Sequence, residues 1–156
     1  PVVLAHASEL FSQVTEGRYP RLVQAEGGDF RIEDRRGAQR DVSALSRGTS
    51  EQLYLCIRLG LVKEFARQSA NLPLVMDDVF VNFDPERTQR MAEMLVRFAE
   101  EHQVLLFTCH PGTVELLRTI CPDVDVRELP RYGEDLPAFE EVHGRVGPAS
   151  EAVRKG

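Results

Sequence analysis

The sequence predicts an α/β fold, a parallel sheet with flanking helices plus a small antiparallel meander. Three observations carry this. Two short apolar runs, at about 73–77 and 104–108, are each followed by a helical pattern, and strand–helix–strand order gives a parallel sheet. Between Tyr19 and Val42, alternating runs are broken by Gly-containing pairs, the mark of antiparallel hairpins. The 156 residues are 42% hydrophobic, enough for one domain with a core.

The first helix is expected over residues 3–16, where Val3, Leu4, Ala7, Leu10, Phe11 and Val14 keep helical spacing. Gly17 supplies a C-terminal stop. The same spacing suits the end of a coiled-coil helix entering a globular head, so residues 1–17 are assigned that role. The meander follows, with turns at Gly27-Gly28 and Arg36-Gly37. Its Arg31, Arg35, Arg36 and Arg40 stand among Glu33, Asp34 and Asp41, which favours a solvated hairpin face over phosphate contact.

A long helix is expected to about Arg67. Thr49 and Gln52 match a capping box, which places its start near Ser50. Its interior, from Leu53 to Phe65, is apolar nearly all round, which predicts burial on several sides. The first apolar run then ends in Asp77-Asp78. Asp84-Pro85 opens the next helix, with Asp at N-cap and Pro at N1. Met91, Met94, Leu95 and Phe98 form its apolar stripe to about Glu101. After the second run, His110-Pro111 starts a helix through Ile120, and a third strand is expected over Val124–Leu129. Residues 131–156 are rich in Gly, Pro and charge and are read as a poorly ordered tail.

The net charge of -6 advertises no nucleic-acid or membrane surface by bulk charge. Cys56, Cys109 and Cys121 are an odd set without CxxC spacing, so they read as reduced thiols. No apolar run approaches the ~18 residues of a membrane span. A cytoplasmic protein with no membrane contact is therefore the expectation.

Three features fall on the loops where α/β sheets bind ligands. Asp77, Asp78 and Asp84 follow the first run, and ionised carboxylates are costly to bury unless paired or metal-bound. Asp77 suits Mg²⁺, which takes hard oxygen ligands. Asp78, facing the other way, suits a water-orienting base. His110 ends the second strand, either as a surface or capping histidine or as a phosphate donor. Ser46-Arg-Gly-Thr49 opens a helix, and is either an ordinary cap or an anion site on a helix N-terminus. A cysteine nucleophile at Cys109 is disfavoured, because neighbours on a strand point to opposite faces.

In this order the segments resemble one family. Leu45-Ser-Arg-Gly-Thr49 resembles the signature loop of ATP-binding-cassette ATPases, and Leu74-Val-Met-Asp-Asp78 the Walker B strand. Val81-Asn-Phe-Asp84 resembles the D-loop, and Phe107-Thr-Cys-His110 the strand leading to the switch histidine. The variants are closest to the C-terminal part of YhaN-like, SMC-type ATPases, relatives of SbcC, RecN and RecF. The resemblance implies a P-loop NTPase fold, with residues 18–130 as the C-terminal lobe of the head. It implies ATP as substrate, Mg²⁺ on Asp77, and Asp78 and His110 as catalytic residues. Ser46, Arg47, Gly48 and Thr49 would meet the ATP of a second head, with Asn82 and Asp84 at the dimer interface. No G-x-x-x-x-G-K-[S/T] occurs, so the Walker A lobe is expected on an N-terminal partner lobe of the same protein. DNA and an SbcD-type nuclease are further partners the resemblance implies, in DNA repair or end processing. Asp78 stands where the family commonly carries Glu, one methylene longer, which leaves an ATP-dependent clamp with little hydrolysis as the alternative. A transporter-type cassette subunit fits the meander and the Phe-Thr-Cys-His ending less well.

Overall fold

The computed structural model describes residues 2–25 and 29–130. Its helices and strands all lie in one compact unit that ends at Val124. The Gly27-Gly28 turn and the tail at 131–156 lie outside the described residues.

Helix α1 spans Val2–Val14 and buries Leu4, Ala7, Leu10, Phe11 and Val14, the predicted stripe. Its end differs by one residue from expectation. Glu16 N–H donates to Gln13 O at 3.1 Å and Gly17 N–H to Ser12 O at 2.7 Å, the paired bonds of a Schellman motif. Glu16 therefore takes the left-handed C′ position, at φ 53°, and Gly17 follows at φ 70°. Arg35 reaches back from the meander and donates from Nε to the Gly17 carbonyl at 2.8 Å. One of the four hairpin arginines is thus a helix-end clamp, and Arg40 pairs with Asp34 at 3.3 Å.

The meander is β1 (Arg21–Gln24), β2 (Phe30–Glu33) and β3 (Gln39–Asp41), antiparallel in order β1-β2-β3. Leu22 and Ile32 pair in register and face the core. The Asp34 carboxylate accepts from the N–H groups of Arg36 and Ala38, closing the turn at Gly37, whose φ is 77°.

Helix α2 covers Arg47–Gln68. Ser46 is its N-cap, so the capping box expected at Thr49 and Gln52 does not start it; Thr49 sits three residues inside. Ser46 wins because its backbone is extended and its hydroxyl oxygen accepts from Thr49 N–H at 3.4 Å. Burial is also less complete than predicted. Leu53, Cys56, Leu59 and Gly60 pack inward, while Tyr54, Leu61 and Phe65 are at least half exposed. Helix α1 crosses at Gly60, where an added Cβ would lie 3.0 Å from both the Ala7 nitrogen and the Val3 carbonyl.

Strands β4 (Leu74–Asp77) and β5 (Val104–Phe107) are parallel and joined through α3 (Pro85–Ala99); α4 (Pro111–Ile120) follows. Helix α3 buries Met91, Met94, Leu95 and Phe98, as its periodicity requires, in the same core as Met76 of β4. Neither strand is buried on both faces. Met76 is buried, but Val75 is 60% exposed and Leu105 and Phe107 are each 42% exposed. Alternation and register place Val75, Asp77, Leu105 and Phe107 on one open face. An unbroken apolar run implies two covered faces, yet only the face carrying Met76 is covered here. The strand expected over Val124–Leu129 does not form. Its apolar period of two breaks between Val126 and Leu129, and Arg127 closes onto Asp125 at 2.9 Å.

Candidate functional site

The parallel pair delivers its two chain ends side by side. Asp77 is opposite Phe107, and Asp78 N–H continues the ladder to Phe107 O at 2.9 Å. Beyond that bond the chain turns sharply: Asp78 adopts φ 44°, a left-handed conformation uncommon for a residue with a side chain. The turn carries its carboxylate across to β5. Thr108 Oγ1 donates to Asp78 Oδ1 at 2.7 Å, Cys109 N–H to Oδ1 at 3.3 Å, and Cys109 Sγ to Oδ2 at 3.2 Å. His110 Nε2 stands 4.0 Å from Oδ1. These donors, led by the Thr108 hydroxyl and the Cys109 thiol, hold the Asp78 carboxyl below the usual range. Conversely, the Asp78 carboxylate raises the Cys109 thiol above its ordinary value.

His110 is the N-cap residue of α4 without a side-chain cap; its own N–H donates to Thr108 Oγ1 at 3.1 Å. The imidazole is 51% exposed and free to meet a ligand. The cleft beside it is lined by apolar Phe80 and Phe83 together with polar Asp78, Thr108, His110 and Thr113. Strand alternation alone predicts Cys109 and His110 on opposite faces. Strand alternation ends at Phe107, so the next residues wrap instead around Asp78. Thr108, the strongest donor to that carboxylate, was not singled out from the sequence. A hydroxyl at the end of the strand neighbouring an acid was the available signal.

Asp77 is exposed on the open sheet face. Its carboxylate is a hard oxygen donor at a strand end, which fits Mg²⁺.

The remaining residues gather at a second place, where the α2 N-terminus meets the turn before α3. Ser46 Oγ and Thr49 Oγ1 lie 2.8 Å apart, and Thr49 is buried. Arg47 Nε donates to Glu51 Oε1 at 3.1 Å, and Asn82 Nδ2 to the same oxygen at 3.3 Å. Asp84 is the N-cap of α3 as predicted: Oδ1 accepts from Arg87 N–H at 2.9 Å, and Oδ2 pairs with the Arg87 guanidinium. These bonds hold the Asp84 carboxyl below its ordinary range. The Arg87 guanidinium lies over Gly48, where an added Cβ would be 3.4 Å from Nη1. Thus Glu51 and Arg87 tie the 81–87 turn to the first turn of α2. Ser46, Arg47, Gly48, Asn82 and Asp84 form one local surface, while Asp78, Cys109 and His110 form another.

Solved SMC head domains share this fold. One, described in work on ATP-driven dimerization and DNA-stimulated activation of SMC ATPases, superposes with a TM-score of 0.57 at 16% identity, over 74% of this chain and 71% of that one. The SMC head domain from Thermotoga maritima gives 0.55 at 13% identity, over 76% and 40%. An SMC head bound to the C-terminal winged-helix domain of ScpA gives 0.56 at 16% identity, over 74% and 36%. The chain therefore shares the α/β fold of part of these solved SMC heads.

Among relatives in sequence, the chain is 38% identical over 112 residues to the uncharacterised protein YhaN of Bacillus subtilis, covering 70% of this chain and 12% of YhaN. An uncharacterised Mycobacterium tuberculosis protein is 35% identical over 85 residues, covering 53% of this chain and 10% of that protein. The chain thus spans about a tenth of the length of these relatives. No protein-family model matches it.

Proposed function

We propose that this chain is the C-terminal part of an SMC-like ATPase head, which hydrolyses ATP at an interface between two heads. The observation that carries this is the meeting of Asp78 with Thr108 and His110 at the ends of two parallel strands, on a fold shared with SMC heads. Phosphoryl transfer asks a protein mainly for positioning and charge stabilisation. Asp78, kept ionised by its donors, would accept a proton from an attacking water or orient it. His110, half exposed at the cleft, would donate to the terminal phosphate.

Asp77 would hold Mg²⁺, whose charge offsets that of the phosphates. Ser46, Arg47 and Gly48 would present hydroxyl, guanidinium and backbone N–H groups to the ATP of the opposing head, since a helix N-terminus favours an anion. Asn82 and Asp84, tied to that same helix end, would lie along the interface between heads. An N-terminal lobe with the Walker A loop would cradle the remaining phosphates and cover the open face of Val75, Leu105 and Phe107. ATP-driven dimerisation and stimulation by DNA, named for one structural neighbour, carry over as expectations of this reading.

A slower variant of the same function is favoured by one observation. Asp78 is shorter than Glu, and three donors from Thr108 and Cys109 already engage it. That arrangement suits an ATP-dependent clamp more than a fast enzyme.

The test is ATP hydrolysis by a head carrying both lobes, compared with its Asp78→Asn form. A loss on the order of 10²–10⁴-fold is expected for a general base. Equal rates would remove Asp78 from the mechanism, and no hydrolysis in either, with ATP-dependent dimers retained, would favour the clamp. The chain alone is expected to bind ATP poorly; micromolar affinity without the other lobe would contradict the division of the head.

A further inference from the structure

We propose that Asp78, Cys109 and His110 form a Zn²⁺-binding site that holds the head inactive when occupied. One oxygen, one sulfur and one imidazole nitrogen from these residues lie within 4.8 Å of one another. Mixed S, N and O donors select zinc over magnesium, which prefers hard oxygens alone. Three protein ligands also leave a fourth tetrahedral position for water, the pattern of an open site.

Several details favour a metal. The Cys109 thiol already donates to Asp78 Oδ2 at 3.2 Å, and a Zn²⁺ between them would take that proton's place. On binding, the Zn–S bond forms as the thiol proton leaves to solvent. Binding would close the three atoms to the ~3.3–3.6 Å separations that tetrahedral Zn–N, Zn–O and Zn–S bonds of about 2.0–2.3 Å require. Thr108 remains bonded to Asp78 Oδ1 at 2.7 Å, an outer partner of the kind that orients a ligating carboxylate. Cys109 and His110 are both exposed, so the ion has an entry path.

The regulatory consequence rests on the ATPase reading, because Zn²⁺ would withdraw both Asp78 and His110 from the water and the phosphate. The binding itself does not depend on that reading.

Co²⁺, a spectroscopic substitute, tests the site on the 156-residue chain. Expected are intense tetrahedral visible bands and a near-ultraviolet thiolate-to-cobalt band, displaced by Zn²⁺ and untouched by excess Mg²⁺. Cys109→Ser should abolish the near-ultraviolet band and weaken Zn²⁺ binding roughly tenfold or more, while Cys121→Ser should leave both intact. Should Cys109→Ser fold poorly by circular dichroism, the wild type still decides the matter. Zn²⁺ should protect Cys109 from iodoacetamide, read by mass spectrometry. No thiolate band in the wild type, a band that survives Cys109→Ser, or no protection overturns the site.

In a two-lobed head, Zn²⁺ should then slow ATP hydrolysis, and Cys109→Ser should blunt that inhibition relative to its own zinc-free rate. A thiolate band in a head that does not hydrolyse ATP sinks the ATPase reading and leaves the metal site standing. Hydrolysis without a thiolate band does the reverse.

Discussion

Thr108 donates a 2.7 Å hydrogen bond to Asp78 across the ends of two parallel strands, and this bond aims the carboxylate. The left-handed turn at Asp78 brings the acid to β5; Thr108 then fixes which way its oxygens face. Thr108 is thus a positioning residue for whatever Asp78 does.

Replacing Thr108 by Val keeps the shape and removes the donor. In a two-lobed head, ATP hydrolysis should fall by roughly tenfold or more, the usual scale for losing a partner that orients a functional group. Thr108→Ser should restore most of the rate, and the acid limb of the pH–rate profile should move up in Thr108→Val only. An unchanged profile would leave Thr108 a purely structural residue.

Asp84 caps α3 and holds Arg87 over Gly48. Asp84→Ala should lower the urea midpoint of the chain and loosen the first turn of α2, read as faster amide exchange at Gly48 and Thr49. Asp84→Asn keeps an acceptor for Arg87 N–H but loses the charge. It should retain most of the stability while still releasing Arg87.

At Gly60 the α1–α2 crossing leaves no room. A methyl there would press on backbone atoms of Val3 and Ala7 at 3.0 Å, which cannot rotate away. Gly60→Ala should destabilise the chain by about 1–3 kcal/mol through overpacking, despite the better helix propensity of Ala. Gly60→Val should be worse. Denaturant unfolding at equilibrium measures both.

Glu64 on α2 pairs with Arg67 and Gln68, and these bonds lower its carboxyl to about 2. The folded value lies below the ordinary 4.5. Its stabilising contribution is therefore complete above pH ~4.5 and is lost as pH falls through about 2. A carboxyl-carbon NMR titration should find Glu64 still ionised near pH 3, well below the ordinary value of 4.5. Glu64→Gln should flatten the stability profile in that window and leave it unchanged at neutral pH relative to its own plateau.

Local rules explain why much of the fold was legible. Met91, Met94, Leu95 and Phe98 mark one face of α3, and Asp84-Pro85 marks its start, because caps and periodicity act within a few residues. The α1 stripe and the Gly37 turn follow from the same short-range physics. The α2 start was misread because Ser46 and Thr49 both satisfy cap chemistry, and only the extended backbone at Ser46 decides between them.

What the sequence determined by itself was the set of elements and the acids at a strand end, together with the likeness that joins these segments. Apolar period and cap chemistry are written into neighbouring residues. What only the tertiary structure decided was who meets whom. Pairing of β4 with β5 brings residues thirty positions apart into one site. The left-handed turn at Asp78 sends its carboxylate to Thr108 and Cys109, and the end of strand alternation after Phe107 lets Cys109 and His110 converge on it. Register and turn direction depend on contacts distant in the chain, which no local pattern encodes.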